Sequence, residues 1–253
     1  MKSYSLLAIG ALLLFCRCRP ILYSNVSQNV PLLSEKGEFV GQASYSSGEG
    51  SWTTEGISLQ GAYAITDNFA VISSYHGHSS VGPNDSDEWD GNGRYFEVGG
   101  GWYGTSESQK FRYEVFLGLG NSTLNNNSKD NQGNFINSHF FKPFIQPSIG
   151  FASQYFDFAF TGRIAHLTFY KTDDYLLLPE EKRAADEFYK EKSGDIVFEP
   201  GIMLRGGFEN IKLEIKYSYS TLKEPSSEVS NINNEFYSIG LSLRIPPKGS
   251  KNP

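Results

Sequence analysis

Cysteine is nearly missing from this 253-residue chain: the two present, Cys16 and Cys18, lie close to the amino terminus. The body therefore has no disulfide framework and no cysteine nucleophile. No basic cluster follows the amino-terminal region, and the net charge is -6 with a pI near 5.3, which excludes the basic stripe of a nucleic-acid binder. Long apolar runs are also lacking. The longest, Leu6 to Phe15, falls short of the roughly 20 residues a spanning helix needs, so a helical membrane protein is excluded. A β-barrel is not, because alternating strands dilute the hydropathy signal. Nor is there a GxSxG, a phosphate loop or an HExxH, so no enzyme and no cofactor are indicated.

What the chain does have is aromatic residues (15%) and 26 glycines, a composition that suits many strands joined by turns. Its start, MKSYSLLAIGALLLFCRC, has the build of an export signal over residues 1–18: one lysine, then an apolar core. The run stops at Cys16, as in a bacterial lipoprotein signal, although Leu13-Leu14-Phe15 replaces the usual small residue before the cysteine. Cys16 is thus a lipidation candidate, and an ordinary cleaved signal peptide is the alternative. Residues 19–36 show no sustained period and read as a periplasmic tether.

From Gly37 onward, alternating segments follow one another. The pattern predicts strands at about 37–47, 55–65, 68–77, 94–104, 110–121, 139–152, 156–169, 195–207, 211–222 and 235–245, with a tail at 246–253. Within IKLEIKYSY (211–219), Ile211, Leu213, Ile215, Tyr217 and Tyr219 share one face, and Lys212, Glu214, Lys216 and Ser218 share the other. Pro143, Pro147 and Pro200 fall on apolar faces and are expected to mark local bulges, since proline cannot donate to a ladder. The third strand, NFAVISSYH, is readable in either register. Connections alternate in length. TDN (66–68), TSESQ (105–109), SQY (153–155) and FEN (208–210) are short, whereas 78–93, 122–138, 170–194 and 223–234 are long and polar.

Volume decides which face looks outward. About five large apolar side chains on each of about ten strands would overfill a small barrel's interior. The expectation is therefore a closed antiparallel up-and-down barrel of 37–245 with its apolar face toward lipid. The inner face would then carry Lys142, Arg163, Glu199, Arg205, Lys212, Glu214 and Lys216, paired because isolated buried charges are costly. A soluble periplasmic β-sandwich with the apolar faces buried is the alternative.

ISLQGAYAITDNFAV and FIQPSIGFASQYFDFAFTGR, each strand, tight turn, strand, give the chain its likeness to a family class. It resembles bacterial outer-membrane β-barrels, and more narrowly small porin-like barrels or barrel lipoproteins. The resemblance covers about residues 37–245 and implies outer-membrane lipid as surroundings. It also implies short periplasmic turns and long extracellular loops. One departure is the ending LRIPPKGSKNP, where such barrels often end on an aromatic residue.

Candidate chemistry is sparse. His76 and His78 form an HxH pair without a third ligand fixed by spacing, and His139 and His166 stand alone. NDSDEWDGNG concentrates Asp85, Asp87, Glu88 and Asp90, but Trp89 occupies the fifth position of an EF-hand count, leaving a solvated acidic extracellular loop. PEEKRAADEFYKEK (179–192) has helical spacing and could cap the barrel or meet a partner. Two roles remain open on sequence: a scaffold or surface-binding protein meeting an extracellular ligand through its loops, and a narrow passive pore. A rim hydrolase, using residues such as His76 or Asp87, is the weakest reading.

Overall fold

A computed structural model describes residues 21–48, 53–81, 89–129, 133–176, 179–223 and 231–247. In chain order the elements are β1 (Ile21–Ser24), β2 (Phe39–Gly48), β3 (Thr53–Ala64), β4 (Phe69–Val81), β5 (Trp89–Thr105), β6 (Phe111–Ser128) and β7 (Phe135–Ala152). They continue with β8 (Phe156–His166), β9 (Thr168–Tyr175), α1 (Pro179–Lys192), β10 (Ile196–Gly207), β11 (Ile211–Tyr219), β12 (Asn231–Asn233) and β13 (Glu235–Ile245). The ring runs β6-β5-β4-β3-β2-β13-β11-β10-β8-β7 and returns to β6, all antiparallel. It is a closed ten-strand up-and-down barrel. Ring closure overturns the sandwich alternative, because one continuous sheet has no second sheet to face.

The ladder explains the alternation. Ile57, Leu59, Val98, Leu117, Leu119, Leu213, Ile215, Ile239 and Leu241 point out and are exposed, while their neighbours point in and are buried. The third strand resolves to Phe69, Val71 and Tyr75 outside and Ala70, Ile72, Ser74 and His76 inside. Outward aromatic residues gather at two levels. Phe39, Tyr63, Phe69, Trp102, Phe111 and Phe208 lie toward the short turns; Tyr45, Tyr75, Phe96, Tyr217 and Tyr237 lie toward the long connections. The aliphatic zone lies between them. From Tyr237 to Ile245 the strand covers about 27 Å at ~3.4 Å per residue. Strand tilt shortens this to nearly the ~25 Å apolar band of an outer-membrane barrel.

The prolines behave differently from expectation. Pro143 sits opposite Leu119, Pro147 opposite Val115 and Pro200 opposite Gly162, with no register shift. Instead, the β7–β8 ladder lacks pairs at Gln146 and Pro147, and between Phe141 on the β9 side and Phe144 on the β8 side. A missing N–H costs local bonds here, not register. β8 and β9 act as one long strand interrupted at Leu167, whose N–H donates to the Asp195 carbonyl at 2.9 Å.

Two connections are shorter than the sequence pattern suggests. β4 runs up to Val81 and β5 starts at Trp89; β6 continues to Ser128 and β7 starts at Phe135. Those extensions are rich in Asn, Ser and Gly and stand above the lipid zone, so no apolar face marks them. With β9 they form a wall taller than the β10–β11–β13–β2 side.

The largest correction concerns residues 19–36. Its described part is 21–36, of which 21–33 are buried throughout and run inside the barrel, not below it as a tether. Ile21 meets Asn126 near the top of β6, and β1 pairs in parallel with β12 from the last long connection. Leu33 meets Glu114 near the short-turn end. Gly37 then turns the chain into β2 with φ +84°, where an added Cβ would come within 3.1 Å of Pro247. A left-handed backbone there favours glycine.

Candidate functional site

An eight-stranded barrel is just filled by its own side chains, so ten strands leave extra room. Here an extended segment takes it. Three layers match three parts of that segment. Near the long connections, Ile21, Leu22, Tyr23 and Val26 join Trp89, Tyr95, Leu124, Ile136 and Phe140 in an apolar cluster. Near the short turns, Val30, Leu32 and Leu33 pack among Ala152, Ala159 and Met203, and Val40, Phe116 and Phe144. Between them lie Asn25, Gln28 and Asn29, facing the charged belt.

The upper part of that belt centres on Arg163. Its guanidinium meets Glu97 at 3.0 and 3.1 Å, donates to Gln146 Oε1 at 2.6 Å, and lies 4.2 Å from the Phe144 ring centroid. Glu97 also accepts from Ser74 at 3.0 Å and Tyr95 at 2.9 Å. Lys142 pairs with Glu199, which accepts from the Tyr23 hydroxyl at 2.6 Å. The lower part centres on Glu214, 2.6 Å from Arg205 and 3.0 Å from Lys216. Lys212 meets Asp157 at 2.5 Å. All seven inner charges named from the sequence lie inside the barrel, in two groups. Glu97 and Asp157, both on the alternating inner face, belong with them. Arg112, Glu114, Glu38 and Arg244 add a third group at the short-turn end, and only their inward parity could have announced it.

Wall side chains reach the segment largely through its main chain. Gln146 donates to the Asn29 carbonyl at 2.7 Å, and Arg205 to the Val30 carbonyl at 2.6 Å. Arg112 donates to the Leu32 carbonyl, as does Arg244 at 3.2 Å. Glu114 accepts from Leu33 N–H at 2.8 Å, and Asn126 both accepts from Ile21 N–H and donates to its carbonyl, at 3.1 and 3.0 Å.

α1 closes the outer mouth. Ala185, Phe188 and Tyr189 turn down into the apolar cluster, and Phe169 of β9 packs against both rings. Burial pushes the Tyr189 hydroxyl above its ordinary pKa. Lys182, Arg183, Asp186, Glu187, Lys190 and Glu191 face outward. Lys182 meets Asp174 at 2.7 Å, a hydrogen bond that raises its pKa.

Other sequence candidates are scattered. His76 stacks on His78 at 5.4 Å inside the wall and bonds Ser58 at 2.7 Å; His139 contacts Thr123 at 3.1 Å, and His166 faces outward. No group of three metal-ligating side chains occurs among the described residues. Asp90 meets Lys129 at 3.0 Å at the rim. Asp85, Asp87, Glu88, Cys16 and the export signal lie outside the described residues, as do 248–253 of the tail.

No protein-family model matches the sequence, and no curated protein does. Among solved structures, Ail, the attachment invasion locus protein of Yersinia pestis, is similar at 14% identity, covering 83% of this chain and 99% of that one, with a TM-score of 0.37. The transport unit of the autotransporter AIDA-I from Escherichia coli is 10% identical over 87% and 93%, with a TM-score of 0.42. The NanC porin is 13% identical over 82% and 100%, with a TM-score of 0.36. No helix among the described residues is long and apolar enough to cross a membrane; the strands do the crossing. A sealed sheet with an apolar outer belt between aromatic girdles and paired charges inside has the build of a membrane-spanning β-barrel, the architecture of outer-membrane proteins.

Proposed function

We propose that the protein is a non-enzymatic surface-binding protein of the outer membrane that presents its long-connection end to an extracellular ligand. One observation carries this reading: the lumen is filled from mouth to mouth by residues 21–33 and the wall's own charges. A passive pore needs an open path, and the burial of 21–33 among the described residues argues against one. Material beyond the lipid zone is concentrated at one end, in the tall β5–β6–β7–β9 wall and α1. That end is polar and structured. Asn125 donates to Asn92 at 3.1 Å and Asn121 to the Tyr170 hydroxyl at 2.9 Å, while the outer side of α1 carries charges of both signs. A rigid rim of this kind holds its contact groups in place before binding and so limits the ordering cost of association.

The test pairs two readouts. Full-length protein in planar bilayers is expected to give no conductance steps. Cells displaying it are expected to be retained on a glycan and matrix-protein array, and to lose retention when Arg183, Glu187 and Lys190 are all changed to serine. Conductance by the intact chain, or array retention that ignores the serine changes, sinks this reading.

A further inference from the structure

We propose that the lumen is a binding channel for one extended peptide, occupied in this state by the chain's own residues 21–33, and that emptying it opens an ion-conducting path.

Four observations carry it. The ten-strand ring closes without the segment: β1 pairs only with β12, and no wall strand needs it as a ladder partner. Segment ILYSNVSQNVPLL carries no charge, whereas the wall charges are neutralised by one another through Arg163–Glu97, Lys142–Glu199, Arg205–Glu214–Lys216 and Lys212–Asp157. An emptied lumen therefore keeps its ion pairs and gains water. Third, Gln146, Arg205, Arg112 and Arg244 donate to main-chain carbonyls of the segment. Groups that read carbonyls recognise an extended backbone as a class. Side-chain selection is added by Tyr23 with Glu199, Asn25 with Ser218, Gln28 and Asn29 with wall carbonyls, and by the apolar packing of Ile21–Tyr23 above and Val30, Leu32 and Leu33 below.

The fourth observation is polarity. The segment continues into β2 at its short-turn end, where Gly37 N–H meets the Ala64 carbonyl at 2.8 Å. Its other end lies at the long-connection mouth. A peptide supplied in trans would enter by that mouth with its carboxyl end leading. This inference does not rest on the surface-binding reading: conductance reports the lumen and array retention reports the rim.

The experiment uses the full chain with a protease site inserted between Lys36 and Gly37, folded first and then cut. Urea is applied below the level that abolishes the heat-dependent gel shift, and release of the cut segment is read by mass spectrometry. The uncut chain is expected to be silent in planar bilayers and the emptied barrel to show conductance steps. Synthetic ILYSNVSQNVPLL added on the long-connection side should abolish those steps, and Arg112→Ala should weaken the block. A barrel lacking 21–33 from the outset is a second route to the same state. An emptied, folded barrel that stays silent overturns the channel. Steps that the peptide does not block overturn the peptide site. A cut segment that no barrel-sparing urea removes overturns emptying itself.

Discussion

Arg163 shows what a single inner charge does in this barrel. It is fully buried and serves Glu97, Gln146 and the Phe144 ring together. Arg163→Met would leave Glu97 buried with only the Ser74 and Tyr95 hydroxyls. Breaking a buried pair from one side costs about 3–5 kcal/mol, whereas replacing both partners by apolar groups of similar size is often near neutral. The urea midpoint of the folded, heat-shifting species should therefore fall sharply for Arg163→Met and recover in Arg163→Met with Glu97→Leu. Equal midpoints for the single and double variants would show that the pair does not act as a unit. On the outer face the rule reverses. Leu241 is 57% exposed and lies midway between Tyr237 and Ile245. Leu241→Arg places a charge near the bilayer midplane, at a cost of about 2–4 kcal/mol. Ser242→Arg, one residue along, points inside and would fail through crowding instead. A refolding titration in lipid vesicles checks the first, and an unchanged midpoint for Leu241→Arg would contradict a lipid-facing position.

At the scale of elements, α1 is held by three inward side chains. Phe188 is almost fully buried beneath the outer mouth. Truncating a buried phenylalanine costs about 3–5 kcal/mol in a well-packed core. The helix is a local unit, so Phe188→Ala should release it without opening the ring. Limited trypsin digestion would then cut at Lys182, Arg183 and Lys190 many times faster, with the heat-dependent gel shift retained. Unchanged digestion would mean that the helix is held by something else. Legibility divides along the same line. Ten strands, and the faces of all but the third, could be read because one side of each meets lipid and the other does not, which leaves a period of two in the sequence. The tops of β4 to β7 have water on their outer side and polar residues on both, so their period vanished. Residues 21–33 hid for a different reason. A segment surrounded on every side by wall has no preferred face, so it carries no alternation. Its signal is layered along the chain: apolar at Ile21–Tyr23, amide-rich at Asn25–Asn29, apolar again at Val30–Leu33. That order copies the layers of the lumen. The inner charges could be located by parity alone, but their grouping around Arg163 and Glu214 depends on strand stagger, which sequence does not carry.

For the whole molecule, one asymmetry governs orientation. Turns at 66–68, 105–109, 153–155 and 208–210 share one end, and the tall wall, α1 and β12 share the other. Outer-membrane barrels keep short turns in the periplasm and long connections outside. The physical basis is assembly from within: short turns stay on the side from which the barrel is inserted, while the bulky end must cross. Glu187 and Glu107 are both exposed and lie at opposite ends. Glu187→Cys should therefore react with a membrane-impermeant maleimide on intact cells, above the background of the parent chain with its own Cys16 and Cys18. Glu107→Cys should react only after the outer membrane is permeabilised. The reverse pattern would invert the barrel, put α1 in the periplasm and remove the surface-binding proposal, while leaving the lumen and its peptide segment as they are. Equal labelling of both on intact cells would mean that the chain is not seated in the membrane at all, and the aliphatic belt between the two aromatic girdles would then need another apolar surface to cover it.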